Sequence, residues 1–139
     1  MNTTNEFKKK VLKRIADEIP SGFPLCMPNF PTENFIGLPE WGRVFIQHAS
    51  GDKRSQGGTG ASKYNRRGTI ILRAHLPMGE GDKRADEISK AFQDMFEGRG
   101  IEGISSTFLS VNCREAGGDD SGRYNILLCE AVFAYMEIK

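Results

Sequence analysis

The sequence predicts an α+β domain in which two helices pack on one face of a four-stranded, mostly antiparallel sheet, in the order helix, strand, strand, helix, strand, strand. Three observations predict it. Residues 66–96, RRGTIILRAHLPMGEGDKRADEISKAFQDMF, read as strand, turn and helix in succession. Residues 3–19 carry a second apolar stripe at helical spacing, and residues 123–138 form a long run that is apolar on both alternating faces. With 139 residues the chain is long enough to bury a core without staples and short for two domains, so it reads as one domain over 1–139.

The first helix is expected over Thr3 to Ile19. Phe7, Val11, Leu12, Ile15 and Ile19 share one face, Thr3 and Glu6 stand at capping-box spacing, and Pro20, Ser21 and Gly22 end it. Lys8, Lys9, Lys10, Lys13 and Arg14 lie off the apolar stripe and read as a solvated face. From Gly22 to Glu40 four prolines, Pro24, Pro28, Pro31 and Pro39, block helix and central strand. Phe23, Phe30, Phe35, Ile36 and Leu38 in that segment carry too much apolar area to stay solvated, so it is expected to wrap over the edge of the core.

Trp41 to Ser50 reads as a strand, with Val44, Ile46 and His48 on one side and Arg43, Phe45 and Gln47 on the other. It is expected to pair with Thr69 to Leu76, where Ile70, Leu72, Ala74 and Leu76 alternate with Thr69, Ile71, Arg73 and His75. Between them, GDKRSQGGTGASKYNRR over 51–67 is rich in glycine and poor in apolar residues, which predicts a flexible basic loop. Lys53, Arg54, Lys63, Arg66 and Arg67 against Asp52 concentrate positive charge there, and with Tyr64 these cations are the expected contacts with a partner or a neighbouring subunit.

Pro77 stops the second strand, Gly79 and Gly81 supply positive φ, and Asp82 is placed to cap a helix carrying Ala85, Ile88, Ala91, Phe92, Met95 and Phe96, which ends at Gly98. A third strand is expected to about Arg114, a turn over 116–122, and a closing strand over 123–138. That closing strand is too apolar for a sheet with one solvated face, which predicts helices on one side and another surface, such as a neighbouring subunit, on the other.

The search for chemistry returns little. A net charge of +1 gives no global footprint for a polyanion, and no apolar run reaches a membrane span, so the chain reads as soluble and unexported. Cys26, Cys113 and Cys129 are odd in number and lack Cys-x-x-Cys spacing, as reduced thiols would be. Met78 to Lys83 has glycines and a lysine between strand and helix, but acidic Glu80 and Asp82 would repel a phosphate. His48 and His75 lie on strands expected to pair, and spacing places no third metal ligand beside them. No serine sits in a nucleophile elbow, and Asp119 and Asp120 sit in a glycine turn. Catalytic residues, cofactors and metals are therefore all expected to be absent.

The order of short features resembles the phage tail terminator-like, or tail completion, proteins. They are the amphipathic first helix, Pro28-Asn29, Trp41 with Arg43-Val44, Gly68, then Pro77, Gly79 and Gly81 leading into a helix with Ala85, Ile88 and Phe96. Asp120, Gly122, Tyr124 and Phe133-Ala134-Tyr135 follow in the closing strand. The resemblance spans nearly the whole chain. It implies a non-enzymatic virion protein, assembled in the bacterial cytoplasm, that forms a ring, typically a hexamer, on the finished tail tube. Such a ring stops polymerisation and offers a joining surface to the head. The implied partners are further copies of the chain, the major tail tube protein, head-tail connector proteins and, transiently, passing DNA, with no membrane. Another head-tail connector or minor tail component, and a small nucleic-acid-binding module using the basic loop, are the alternatives.

Overall fold

The structure, a computed structural model, describes residues 3–55, 63–79, 82–119 and 122–138. It is an α+β fold with two helices and a five-stranded mixed sheet. The elements run α1 (Thr3–Glu18), β1 (Leu25–Cys26), β2 (Trp41–Ser55), β3 (Lys63–Pro77), α2 (Lys83–Phe96), β4 (Ser106–Gly118) and β5 (Tyr124–Ile138). Spatially the strands are ordered β1-β2-β3-β5-β4. All neighbours are antiparallel except β1, which pairs parallel to β2 through Leu25 opposite Gly42 and Cys26 opposite Arg43. This fifth strand corrects the four-stranded expectation. Two residues between prolines give no periodicity to read, and the pairing exists because Phe23 and Cys26 are buried on either side of it.

Both helices cover the same sheet face. Phe7, Val11 and Ile15 of α1 and Ala85, Ile88, Phe92, Met95 and Phe96 of α2 meet Val44, Ile70, Leu72, Ala74, Leu127, Cys129, Ala131 and Phe133 in one core. Phe7 stacks on Tyr135 with ring centroids 4.2 Å apart and leans on Phe133 at 4.8 Å, which fixes where α1 lies along β5. Two cations of α1 reach backbone acceptors, while Lys9 and Lys13 stay exposed. Arg14 donates to the Met95 carbonyl (3.0 Å) and the Gly100 carbonyl (2.8 Å), satisfying the end of α2, and Lys10 donates to the Glu102 carbonyl. At the other end of α2, Arg84 makes a two-pronged bond to Glu40 (2.9 and 2.7 Å) and so ties the helix to the chain entering β2. Asp82 occupies the cap position, but its side chain makes no cap hydrogen bond, and its carbonyl instead accepts from the Asp86 amide at 2.9 Å. Gly79 has the expected positive φ of 79°, while Gly81 lies outside the described residues.

The largest departure from expectation is the length of the strands. Residues 51–55 and 63–67, expected as loop, are ladder, and only the region 56–62 lies outside the described residues. The reason is β5. Its Ala134 to Ile138 must pair, and β3 supplies Lys63 to Arg67 opposite them, with Lys53 opposite Tyr64 on the far side. The β4–β5 turn is also shorter than expected, since β4 runs to Gly118.

The Gly22 to Glu40 segment does wrap the core, in part. Phe23 is buried in the main core, while Phe35 and Leu38 pack on a second cluster of Cys26, Trp41, Tyr124 and Ile126 at one end of the opposite sheet face. Phe30 and Ile36, expected to be covered, are each 63% exposed.

Candidate assembly face

The β2–β3–β5 register decides what each side chain can do. Odd-numbered residues of β2 before its first register shift and of β3, and even-numbered residues of β5, share the face without helices. Along it run Phe45, Ile71, Leu128, Val132, Ala134 and Met136, all half-buried. Phe45 stands opposite Ile71, and Val132 opposite Thr69. The half-exposed apolar stripe on the two central strands is what the two-sided apolarity of residues 123–138 foreshadowed.

Charge on this face is unbalanced. Arg43, Arg67 and Arg73 point from it without an ion pair among the described residues, and Arg114 reaches Glu130 only at 3.8 Å. Arg43 lies directly opposite Arg73 and rests over the Phe45 ring, 4.8 Å from its centroid. The Arg43 Nε is buried and finds no hydrogen-bond partner among the described residues. On the helical side the arginines are paired or bonded: Arg14 to carbonyls, Arg66 to Glu137, Arg84 to Glu40 and Arg99 to Glu18.

At the end of the open face nearest the proline-rich segment is a concavity of about 520 Å³. Trp41, His75 and Tyr124 form its aromatic wall, Ile36 its apolar lip, and Arg73, Arg123 and Asp119 its charged rim. Trp41 stacks flat on His75 (centroids 4.0 Å, 2° between planes), and Tyr124 meets His75 edge-on. The Tyr124 hydroxyl donates to the Leu38 carbonyl and accepts from the Gly37 amide, which moors the segment above the wall. Burial, reinforced by Arg73, pushes the His75 pKa below its ordinary 6.5, so at neutral pH the ring is uncharged. Trp41 Nε1 and His75 Nδ1 are buried without a hydrogen-bond partner among the described residues.

The expected basic contacts are dispersed by the ladder. Arg66 and Arg67, neighbours in sequence, fall on opposite faces: Arg66 turns to Glu137 on the helical side and Arg67 is exposed on the open side. Arg66 also lies over the Tyr64 ring at 5.3 Å, and Tyr64 is half-buried. Lys53 and Lys63 are placed by backbone pairing and Arg54 falls at the register shift between Lys53 and Ser55, and the side chains of all three lie outside the described residues. His48 and His75 do not meet, because His48 is opposite Gly68 and on the helical face, seven positions along the strand from Trp41, the partner of His75. Cys113 and Cys129 stand opposite each other as free thiols. Among the described residues there is no cluster of three metal-ligating side chains, and no helix is long and apolar enough to cross a membrane.

Sequence reasoning missed the concavity. Trp41, His75 and Tyr124 lie on three different strands, and only the register brings them together.

No family model and no curated protein matches the sequence. Twelve chains of known structure match the fold. One of them, a protein whose name states no function, aligns over 95% of this chain and 94% of its own with a TM-score of 0.66 and 14% identity. At that identity the likeness shows a shared fold.

Proposed function

We propose that this chain is a structural assembly subunit of the phage tail terminator kind, which forms a ring on the end of the tail tube, stops its growth and presents a surface to the head. The observation that carries the reading is the half-exposed apolar stripe of Phe45, Ile71, Val132 and Met136 on the uncovered side of the central strands. Burying such a stripe is worth roughly 25 cal/mol per Å² of apolar area, and a sheet covered on one side by two helices gains that only from another chain. The resemblance in the order of sequence features, from the first helix to Phe133-Ala134-Tyr135, supports the same reading and names the tube, connector proteins and further copies of the chain as the partners. The basic end of the β2–β3 hairpin, with Lys53, Arg54, Lys63, Tyr64 and Arg67, is the second contact region in this proposal, and Arg66 serves it from behind by anchoring the hairpin.

Deletion of the gene tests the proposal in its biological setting. Overlong or headless tails are the expected result, and tails of normal length joined to heads would contradict it. A different head-tail connector or minor tail component is separated from a terminator by labelling the protein and locating it along the particle by electron microscopy.

A further inference from the structure

Arg43 and Arg73 face each other across adjacent strands, an arrangement in which like charges oppose the ladder they sit in. Neither arginine has an ion pair among the described residues, whereas Arg14, Arg66, Arg84 and Arg99 on the helical side are paired or bonded. Beside the pair the concavity offers a rigid aromatic wall, an apolar lip and a rim on which two arginines, Arg73 and Arg123, stand with one carboxylate, Asp119. Its floor is continuous with the apolar stripe, since Arg73 is opposite Leu128 and next to Ile71.

We propose that the Arg43–Arg73 pair and the adjoining concavity form a docking site for an acidic, extended segment of a partner protein, with a carboxylate held between the two guanidiniums and an apolar side chain against Trp41 and Tyr124. A carboxylate there removes the like-charge repulsion and accepts the fork of donors each arginine presents. The cavity, at about 520 Å³, has room for a large side chain together with the backbone that carries it. The site is a poor one for single-stranded nucleic acid: Phe45 already carries the Arg43 guanidinium and Trp41 is buried against His75, which leaves bases little ring surface for stacking. The same face of a second copy does not fit either, because it would bring arginines against arginines.

The inference deepens the assembly reading by naming the chemistry of a partner for the open face, and its failure is separable from the failure of that reading. A random peptide display library is panned against the intact protein. Selected peptides are then titrated into it, with binding read from the emission of Trp41, the single tryptophan of the chain. The expected outcome is enrichment of Asp and Glu around one aromatic or aliphatic residue. Affinity should fall about tenfold or more in Arg43→Gln and Arg73→Gln, with weakening as salt is raised. Both variants are expected to be as stable as the parent chain or slightly more so, because each removes a repulsion, so lost binding will not be lost folding. Selected peptides without acidic enrichment, unchanged affinity in both variants, or capture of a DNA oligonucleotide in place of any peptide would each overturn the proposal. A chain that assembles on tail tubes yet selects no acidic peptide overturns this inference alone, and one that selects acidic peptides but never assembles overturns the assembly reading alone.

Discussion

Arg66 and Glu137 form an ion pair at 2.7 Å, deep enough that the Glu137 side chain is 9% exposed and that of Arg66 27%. The pair turns a residue expected to reach a partner into the clasp of the long hairpin. It also sets the direction of a hydrogen-bond chain. Glu137 can only accept, so Thr4 donates to it (2.8 Å); Thr4 then accepts from the Tyr135 hydroxyl (2.9 Å), and Tyr135 accepts from His48 Nε2 (2.8 Å). His48 is thereby held with its proton on Nε2, and the start of α1 is tied to the end of β5.

Removal of Arg66 takes the cation from the Glu137 carboxylate and leaves it the Thr4 hydrogen bond. Arg66→Met is expected to cost about 3 kcal/mol in denaturant unfolding, because a largely buried carboxylate loses its neutralising cation. Arg66→Met combined with Glu137→Met should recover part of the loss. Equal stability of the single variant and the parent would show that the clasp holds nothing.

Gly68 is irreplaceable for a steric reason. A Cβ there would lie 2.1 Å from the Gln47 carbonyl oxygen and 2.6 Å from the Phe133 ring, and backbone in a ladder has no room to yield. Gly68→Ala is expected to lower stability by about 2 kcal/mol or more, measured by thermal and denaturant unfolding. A melting temperature within a degree or so of the parent's, a shift well under 1 kcal/mol for a domain of this size, would contradict it.

Acid should weaken the fold through its histidines. Burial holds both His48 and His75 below the ordinary 6.5, so the unfolded chain binds protons at a pH where the folded one does not. Their contribution to stability is complete above about 6.5 and is lost as pH falls toward the depressed folded values. Unfolding free energy should therefore decline from pH 7 toward pH 5, and His75→Gln should flatten that slope. A slope unchanged in the variant would remove His75 from the account.

Much of the fold was legible because helical stripes and strand alternation report which face is buried. Ala85, Ile88, Phe92, Met95 and Phe96 all lie in the core, and the closing strand runs Tyr124–Ile138 against an expected 123–138. Strand extent was not legible where it depends on a partner. Lys63 to Arg67 has neither alternation nor β-branched residues, and it is extended only because β5 needs a neighbour of equal length. The concavity was hidden for a related reason, since Trp41, His75 and Tyr124 are 34 and 49 residues apart in sequence and adjacent only in register. The arginine imbalance of the open face was equally invisible. A chain with 19 basic and 18 acidic residues looks neutral until the strands sort its charges by side.

Thiol chemistry offers an independent check on the core. Cys129 is fully buried opposite Cys113, its pKa is raised by the neighbouring Cys113 and by burial, and Cys26 is also fully buried. Cys113 is half-buried, its pKa lowered by hydrogen bonding with Cys129. Alkylation with iodoacetamide in the native state, read by mass spectrometry, should label Cys113 first and leave the other two until the protein unfolds. Simultaneous labelling of all three would show that both clusters, Cys129 in the main core and Cys26 in the second, open readily in the native state.

On the proposed function, the open face is covered by another chain in the assembly. The most direct test of that reading is electron microscopy of the purified protein added to growing tail tubes, beside the variant Val132→Glu, which places a charge in the middle of the apolar stripe without touching the helical core. Rings capping one end of the tubes and arrested growth are expected with the parent chain, and bare tubes of increasing length with the variant. Bare, growing tubes in the presence of excess parent protein would contradict that reading.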